Sequence, residues 1–437
     1  MIILALYFAF LIIPAVLRYR KSGMDMDRFA VGGRNASGLP VAVSIAASCV
    51  GGSATIGVVS LAWSRGFPSV WYLLSGAAGL LVLTVFLARK VRETGLRTLP
   101  EIIRKYIGAE SREIAAVIIT VAWTAILAAQ FKAAGGIISA MTGMNAQAAL
   151  VTGAAGIVLY TALGGQLSVM KSDVWQFLLI AAALAAVLVT MAIREPRAFS
   201  GIEVELFNSE FGFDTWSYYM VIIGGGYVVC PMLFSRLLSA KSSRTAFRAS
   251  LTAVVLLVIT AVAITLVGLT AKNVLPAETD AETILTAALP ARLPAPLNIL
   301  LWTALLSAVI SSADSCLITA STVFCNDLLK TSSVGLCRVL TVVLGAGALI
   351  LGQVGRGILP LLFAANDVFV SGIVGPVFIA MVFSRKHSIH ARIAMGAMAV
   401  GGILGLAAAL LDMKSLSMAG VGVSVVLTLT ALRRRAD

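Results

Sequence analysis

Residues 48–57 read SCVGGSATIG, and they lie in the middle of an apolar stretch, residues 40–62, long enough to cross a bilayer. Adjacent glycines at mid-membrane depth free backbone carbonyls that hydrocarbon cannot satisfy, so such a break survives where it lines a cavity or coordinates something. A second interruption, GGGYVVCP at residues 224–231, falls inside another apolar stretch, residues 216–240. Two broken helices five stretches apart point to chemistry conducted inside the membrane.

The composition agrees. Of the 437 residues 59% are hydrophobic and 12% charged, with a mean hydropathy of +0.98, whereas soluble domains carry roughly twice that charge. Apolar stretches of about 17–25 residues match a hydrocarbon core of about 30 Å. Thirteen are expected: residues 2–17, 40–62, 68–88, 113–141, 146–163, 171–193, 216–240, 247–271, 297–327, 336–353, 357–383, 390–411 and 415–432. The fold class is therefore all-α integral membrane, with the lipid bilayer as its principal partner. The largest loops, residues 194–214 and 272–294, are too short to be soluble domains.

The net charge of +13 is explained by topology. Alternate loops and the C-terminal tail, counted with the ends of the stretches that adjoin them, hold 25 of the 33 Lys and Arg, which puts the N-terminus outside and RRRAD, residues 433–437, in the cytoplasm. No nucleic-acid partner is implied. The first stretch lacks a basic leader and is followed by RYRK, so it reads as a retained helix instead of a signal peptide. The five cysteines read as small packing residues with no disulfide framework. The pairs Gly135/Gly136 and Gly164/Gly165 read as small-residue helix contacts.

A third feature is SSADSCLITAST, residues 311–322, a run of hydroxyls with one carboxylate inside the stretch 297–327. Ala308, Ser311, Ser312 and Ser315 follow i, i+3, i+4, i+7 spacing and share one helix face. Residues 311 and 312 sit at the same depth as residues 47–52. Hydroxyls and unwound carbonyls suit a hard monovalent cation such as Na⁺, because they supply oxygen without burying formal charge. Asp314 and Asp173 are intramembrane or interfacial carboxylates on the cytoplasmic side of that level, and a carboxylate at such depth is a functional candidate.

Four stretches, GGRNASGLPVAVSIAASCVGGSATIG, YTALGGQLSVMKSDVWQ, GGGYVVCPMLFSRLLSAKS and SSADSCLITASTVFCNDLLK, give the chain a resemblance to the sodium/solute symporter family. The resemblance implies the five-plus-five inverted-repeat fold of the leucine transporter. Its divisions are one extra helix and loop (residues 1–37), repeat one (38–193), repeat two (194–383) and two extra C-terminal helices (384–437). It implies a principal Na⁺ site from the carbonyls of Ala47, Val50 and Ala308 and the hydroxyls of Ser311 and Ser312. It also implies a second cation or proton site at Asp173, Asp314 and Ser315. Members that bind two ions carry a hydroxyl where this chain has Asp314, so the lower site takes sodium, takes a proton or only relays an ion.

The same resemblance places solute beside the two breaks, at Cys49, Gly51, Gly52, Ser53, Ala54, Trp123, Gln130, Lys132, Tyr227, Pro231, Asn366 and Asp367. Lys132 and Asp367 together would suit a zwitterion. The choline branch has tryptophan at the position of Cys49, which argues against a quaternary-amine cage. The expected function is sodium-coupled import of a small polar organic solute, amino-acid-like, osmolyte-like or a carboxylate, at the plasma membrane. Proton coupling on the same fold is the alternative. A sensor is disfavoured because the sequence ends five residues after the last apolar stretch, with no output domain. An enzyme is not expected: the two histidines, His387 and His390, lie in a loop, and no buried nucleophile motif is present.

Overall fold

The computed structural model describes residues 2–21, 25–355 and 357–434; Arg435, Ala436 and Asp437 of the basic tail lie outside the described residues. The chain is built from helices α1 (Ile2–Lys21), α2 (Gly38–Cys49), α3 (Ser53–Arg65), α4 (Phe67–Phe86), α5 (Ser111–Thr142), α6 (Ala146–Arg194) and α7 (Phe213–Ser239). They continue as α8 (Ser243–Val274), α9 (Ala295–Leu328), α10 (Val334–Val354), α11 (Ile358–Phe383), α12 (Ala391–Leu411) and α13 (Lys414–Thr430). Among the described residues nine helices are long and apolar enough to cross a bilayer, or ten if α2 and α3 form one bent span. The apolar part of α1, Ile2–Leu17, and α13 are shorter.

Length alone shows that α6 cannot be one straight span. Its 49 residues would extend about 74 Å at 1.5 Å per residue. Gly165, with φ 62° and ψ −179°, breaks it, between the two stretches expected from hydropathy. Helix starts follow the sequence: Asn145 Oδ1 accepts from the Ala148 N–H at 2.8 Å, and Ser242 Oγ from that of Thr245 at 3.1 Å, each satisfying a donor with no intrahelical partner.

Burial sets the order of the layers. α9 is buried along nearly its whole inner length, hydroxyls included, and packs against α5 and α6. α2 lies against α6, α8 and α9. At the periphery α10 turns Val339, Val342, Val343 and Ile350 outward, as a lipid-facing helix does. His387 opens, and His390 directly follows, the short strand His387–Ile389, which pairs antiparallel with Leu432–Arg434.

The glycines divide differently from expectation. A Cβ on Gly135 would meet the Leu150 backbone at 2.9 Å, so this residue permits α5 to touch α6; Gly136 faces open space. Gly164 abuts Ser168, and Gly165 is the kink of α6. The tightest backbone approach is elsewhere, where Gly79 of α4 lies directly against the Gly224 carbonyl of α7. Gly79→Ala should therefore lower stability by at least about 2 kcal/mol, read as an early melting transition, while Gly136→Ala should melt as the parent does.

Candidate functional site

α2 and α3 meet at a bend of 62°. Val50, at φ −106° and ψ 74°, leaves the helix, and its N–H closes back on the Ala47 carbonyl at 3.2 Å. The released carbonyls face α9. Ser311 Oγ lies 2.9 Å from the Ala308 carbonyl and 3.1 Å from that of Ala47. Ser312 Oγ donates to the Ser48 carbonyl at 3.1 Å. Four of the five residues expected to form a cation ring, Ala47, Ala308, Ser311 and Ser312, thus come together, with Ser48 added, while Val50 reaches them through its N–H on the Ala47 carbonyl. Gly51 is required by proximity, because a Cβ there would stand 2.6 Å from Ser312 Oγ and 2.8 Å from Gln130 Oε1. Gln130 holds the far side of the break by accepting the Gly52 N–H at 2.9 Å.

Below this ring the structure assembles a charged cluster that the sequence showed only in part. Asp173 and Asp314 are fully buried, so Asp173 is not an interfacial residue in water. Ser44 donates to Asp173 Oδ2, and Arg236 lies 3.6 Å from the same oxygen. Arg236 also donates to Ser315 and, at 3.3 Å, to Ser44. Ser315 in turn donates to the Ser311 carbonyl at 2.6 Å and lies 3.2 Å from Asp314 Oδ1. Asp173 Oδ1 and Asp314 Oδ2 have no hydrogen-bond partner among the described residues. Arg236 had counted as a basic marker of topology, yet it is the largest fully buried side chain described. Its place inside the apolar stretch 216–240 was the available signal.

Between the breaks lies a partly open cavity. Cys49, Gly51 and Ser53 line it from the first break, Trp123 and Gln130 from α5, and Tyr227 and Asn366 from α7 and α11. Sequence reasoning missed Tyr72 and the sulfur side chains of Cys230, Met232 and Cys316, which also line it. Three of the cysteines are therefore cavity wall and not only packing. Ser48 and Ser312 belong to the cavity and to the ring together.

Five expected solute contacts lie elsewhere. Lys132 is drawn off by the open C-terminal end of α10, donating to the Gly352 and Gly355 carbonyls at 3.2 and 3.0 Å. Asp367 accepts from Tyr218 Oη at 2.8 Å and Ser417 Oγ at 2.6 Å, which ties α11 to α7 and α13. Gly52 faces Ala133, and Ala54 is buried in the core. Pro231 lines a smaller chamber with Thr319, Thr322 and Arg97. Arg97 pairs with Asp27 outside the spans. Burial would raise the Asp27 carboxyl, but Arg97 and Arg34 outweigh it and hold the group below its usual value.

Removing one member of a buried ion pair strands the other, at a cost of about 3–5 kcal/mol. Arg236→Gln should therefore destabilise the protein by about that amount, and Asp173→Asn combined with Arg236→Gln should recover part of it. Thermal unfolding in detergent checks both.

Comparison with known proteins places this geometry. The family model described as sodium:solute symporter family matches residues 29–405. The sodium/proline symporter of Staphylococcus aureus (strain USA300) is 23% identical over 347 residues, covering 75% of this chain and 68% of the relative. A solved Na⁺-coupled sialic acid symporter, in a substrate-bound outward-open state, aligns with a TM-score of 0.83 at 16% identity, over 100% of this chain and 98% of its own. A nucleobase-cation-symport-1 family transporter with bromovinylhydantoin bound aligns at TM-score 0.67 and 16% identity, over 92% and 93%. The fold is leucine-transporter-like, and these relatives are transporters, not enzymes. Matched from residue 29 to residue 405, the chain belongs to the sodium:solute symporter family.

Proposed function

We propose that the protein is a sodium-coupled symporter that imports a small organic solute by alternating access. One observation carries this: neutral oxygens of Ala47, Ser48, Ala308, Ser311 and Ser312 converge beside the cavity, and Ser312 belongs to both. Sodium held by Ala47, Val50, Ala308, Ser311 and Ser312 fixes the bend between α2 and α3, and with it the wall formed by Cys49, Gly51 and Ser53. Solute in the cavity then tightens sodium, and sodium tightens solute by the same factor.

In this reading the chain crosses the plasma membrane thirteen times with its N-terminus outside. Residues 38–193 and 194–383 are the two inverted repeats, flanked by one helix before and two after. The two breaks, one near the start of each repeat, support that division. Proton coupling has its own support, since Arg236 pairs with Asp173, while the equally buried Asp314 meets Ser315 and has no ion pair among the described residues. The cluster accommodates one more monovalent cation, either Na⁺ or H⁺.

Proteoliposomes loaded in potassium and diluted into sodium test the reading, with labelled L-proline and a panel of small solutes as probes. Uptake should follow the sodium gradient, and Ser312→Ala should raise the half-saturating sodium concentration about tenfold, the worth of one hydrogen-bonding group. Uptake that follows a proton gradient and ignores sodium would establish the alternative.

A further inference from the structure

We infer that the transported solute carries a carboxylate and no net positive charge, and that it docks with the carboxylate against the sodium ring. The inference rests on the sodium-coupled reading above and deepens it.

The cavity has no charged side chain among its lining residues. The two charges that flank it in sequence are committed elsewhere: Lys132 to the carbonyls of Gly352 and Gly355, and Asp367 to Tyr218 and Ser417. An ammonium brought into this space without its own counter-charge meets no carboxylate to offset lost hydration. It also meets the like charge of sodium.

An anionic group meets the opposite. Sodium at Ser312 stands at the cavity wall, because Ser48 and Ser312 line both places. Trp123, 2% exposed and part of the cavity lining, has an indole N–H with no hydrogen-bond partner among the described residues. An indole N–H only donates, so an acceptor on the solute completes it. Gln130 Oε1, an amide acceptor on the same wall, accepts the Gly52 N–H. The remaining wall, with Ile126, Met232 and Leu362, is apolar and suits a compact hydrocarbon body.

Thermal unfolding of the purified full-length protein tests this, in sodium and in potassium at equal ionic strength. The probes are L-proline, L-prolinamide, propanoate, propanamide, choline and glucose at millimolar concentration. L-proline, propanoate or both should raise the melting temperature in sodium and not in potassium, and neither amide should. Trp123→Phe should reduce that rise while leaving the shift given by sodium alone. A rise caused in sodium by choline, glucose or an amide overturns the inference, as does a panel in which neither carboxylate acts. In each of those cases a sodium shift that is lost in Ser312→Ala leaves the symporter reading standing. Absence of any sodium shift overturns both.

Discussion

A helix cut in the middle of an apolar bundle must find partners for its freed carbonyls, and here they come from two adjacent serines on another helix. Ser311 reaches the Ala47 carbonyl and Ser312 that of Ser48. The other features of the centre follow from keeping those segments in contact. Gly51 has no side chain because Ser312 and Gln130 occupy the space. Gln130 caps the far side of the break, and Ser315, one turn below, bonds back to the Ser311 carbonyl.

The same arrangement explains why charge is kept to one level. A ring of carbonyls and hydroxyls binds a monovalent cation without the desolvation penalty of a buried carboxylate. The formal charges are gathered beneath it, where Arg236 answers Asp173 and hydroxyls of Ser44 and Ser315 fill the remaining geometry. The lining of the cavity above is uncharged, so in the proposed coupling any ionic recognition of a solute there comes from the ion.

Much of this was legible in the sequence, for physical reasons. Helical spacing put Ala308, Ser311, Ser312 and Ser315 on one face, and glycine pairs fixed the depth of the breaks. What helical periodicity cannot reveal is where a long side chain ends. Lys132 and Asp367 stand on the right helices, but a flexible amine finds the open end of α10, and a carboxylate finds two hydroxyls. Arg236 was hidden for the converse reason: near the end of an apolar stretch, arginine looks like a topology signal until its partners on α2 and α6 are seen. Cys230 and Cys316 gave no cue, since a thiol in a span packs equally well anywhere.

The most direct measurement is amide hydrogen exchange of the purified protein in sodium against potassium, followed in peptides covering residues 44–57 and 305–317. The account predicts that sodium slows exchange in both segments together, because one ion bridges the broken helix to the hydroxyl stripe, and that Ser312→Ala removes the effect in both. Exchange that is the same in the two salts, or sodium protection that survives Ser312→Ala unchanged, would contradict it.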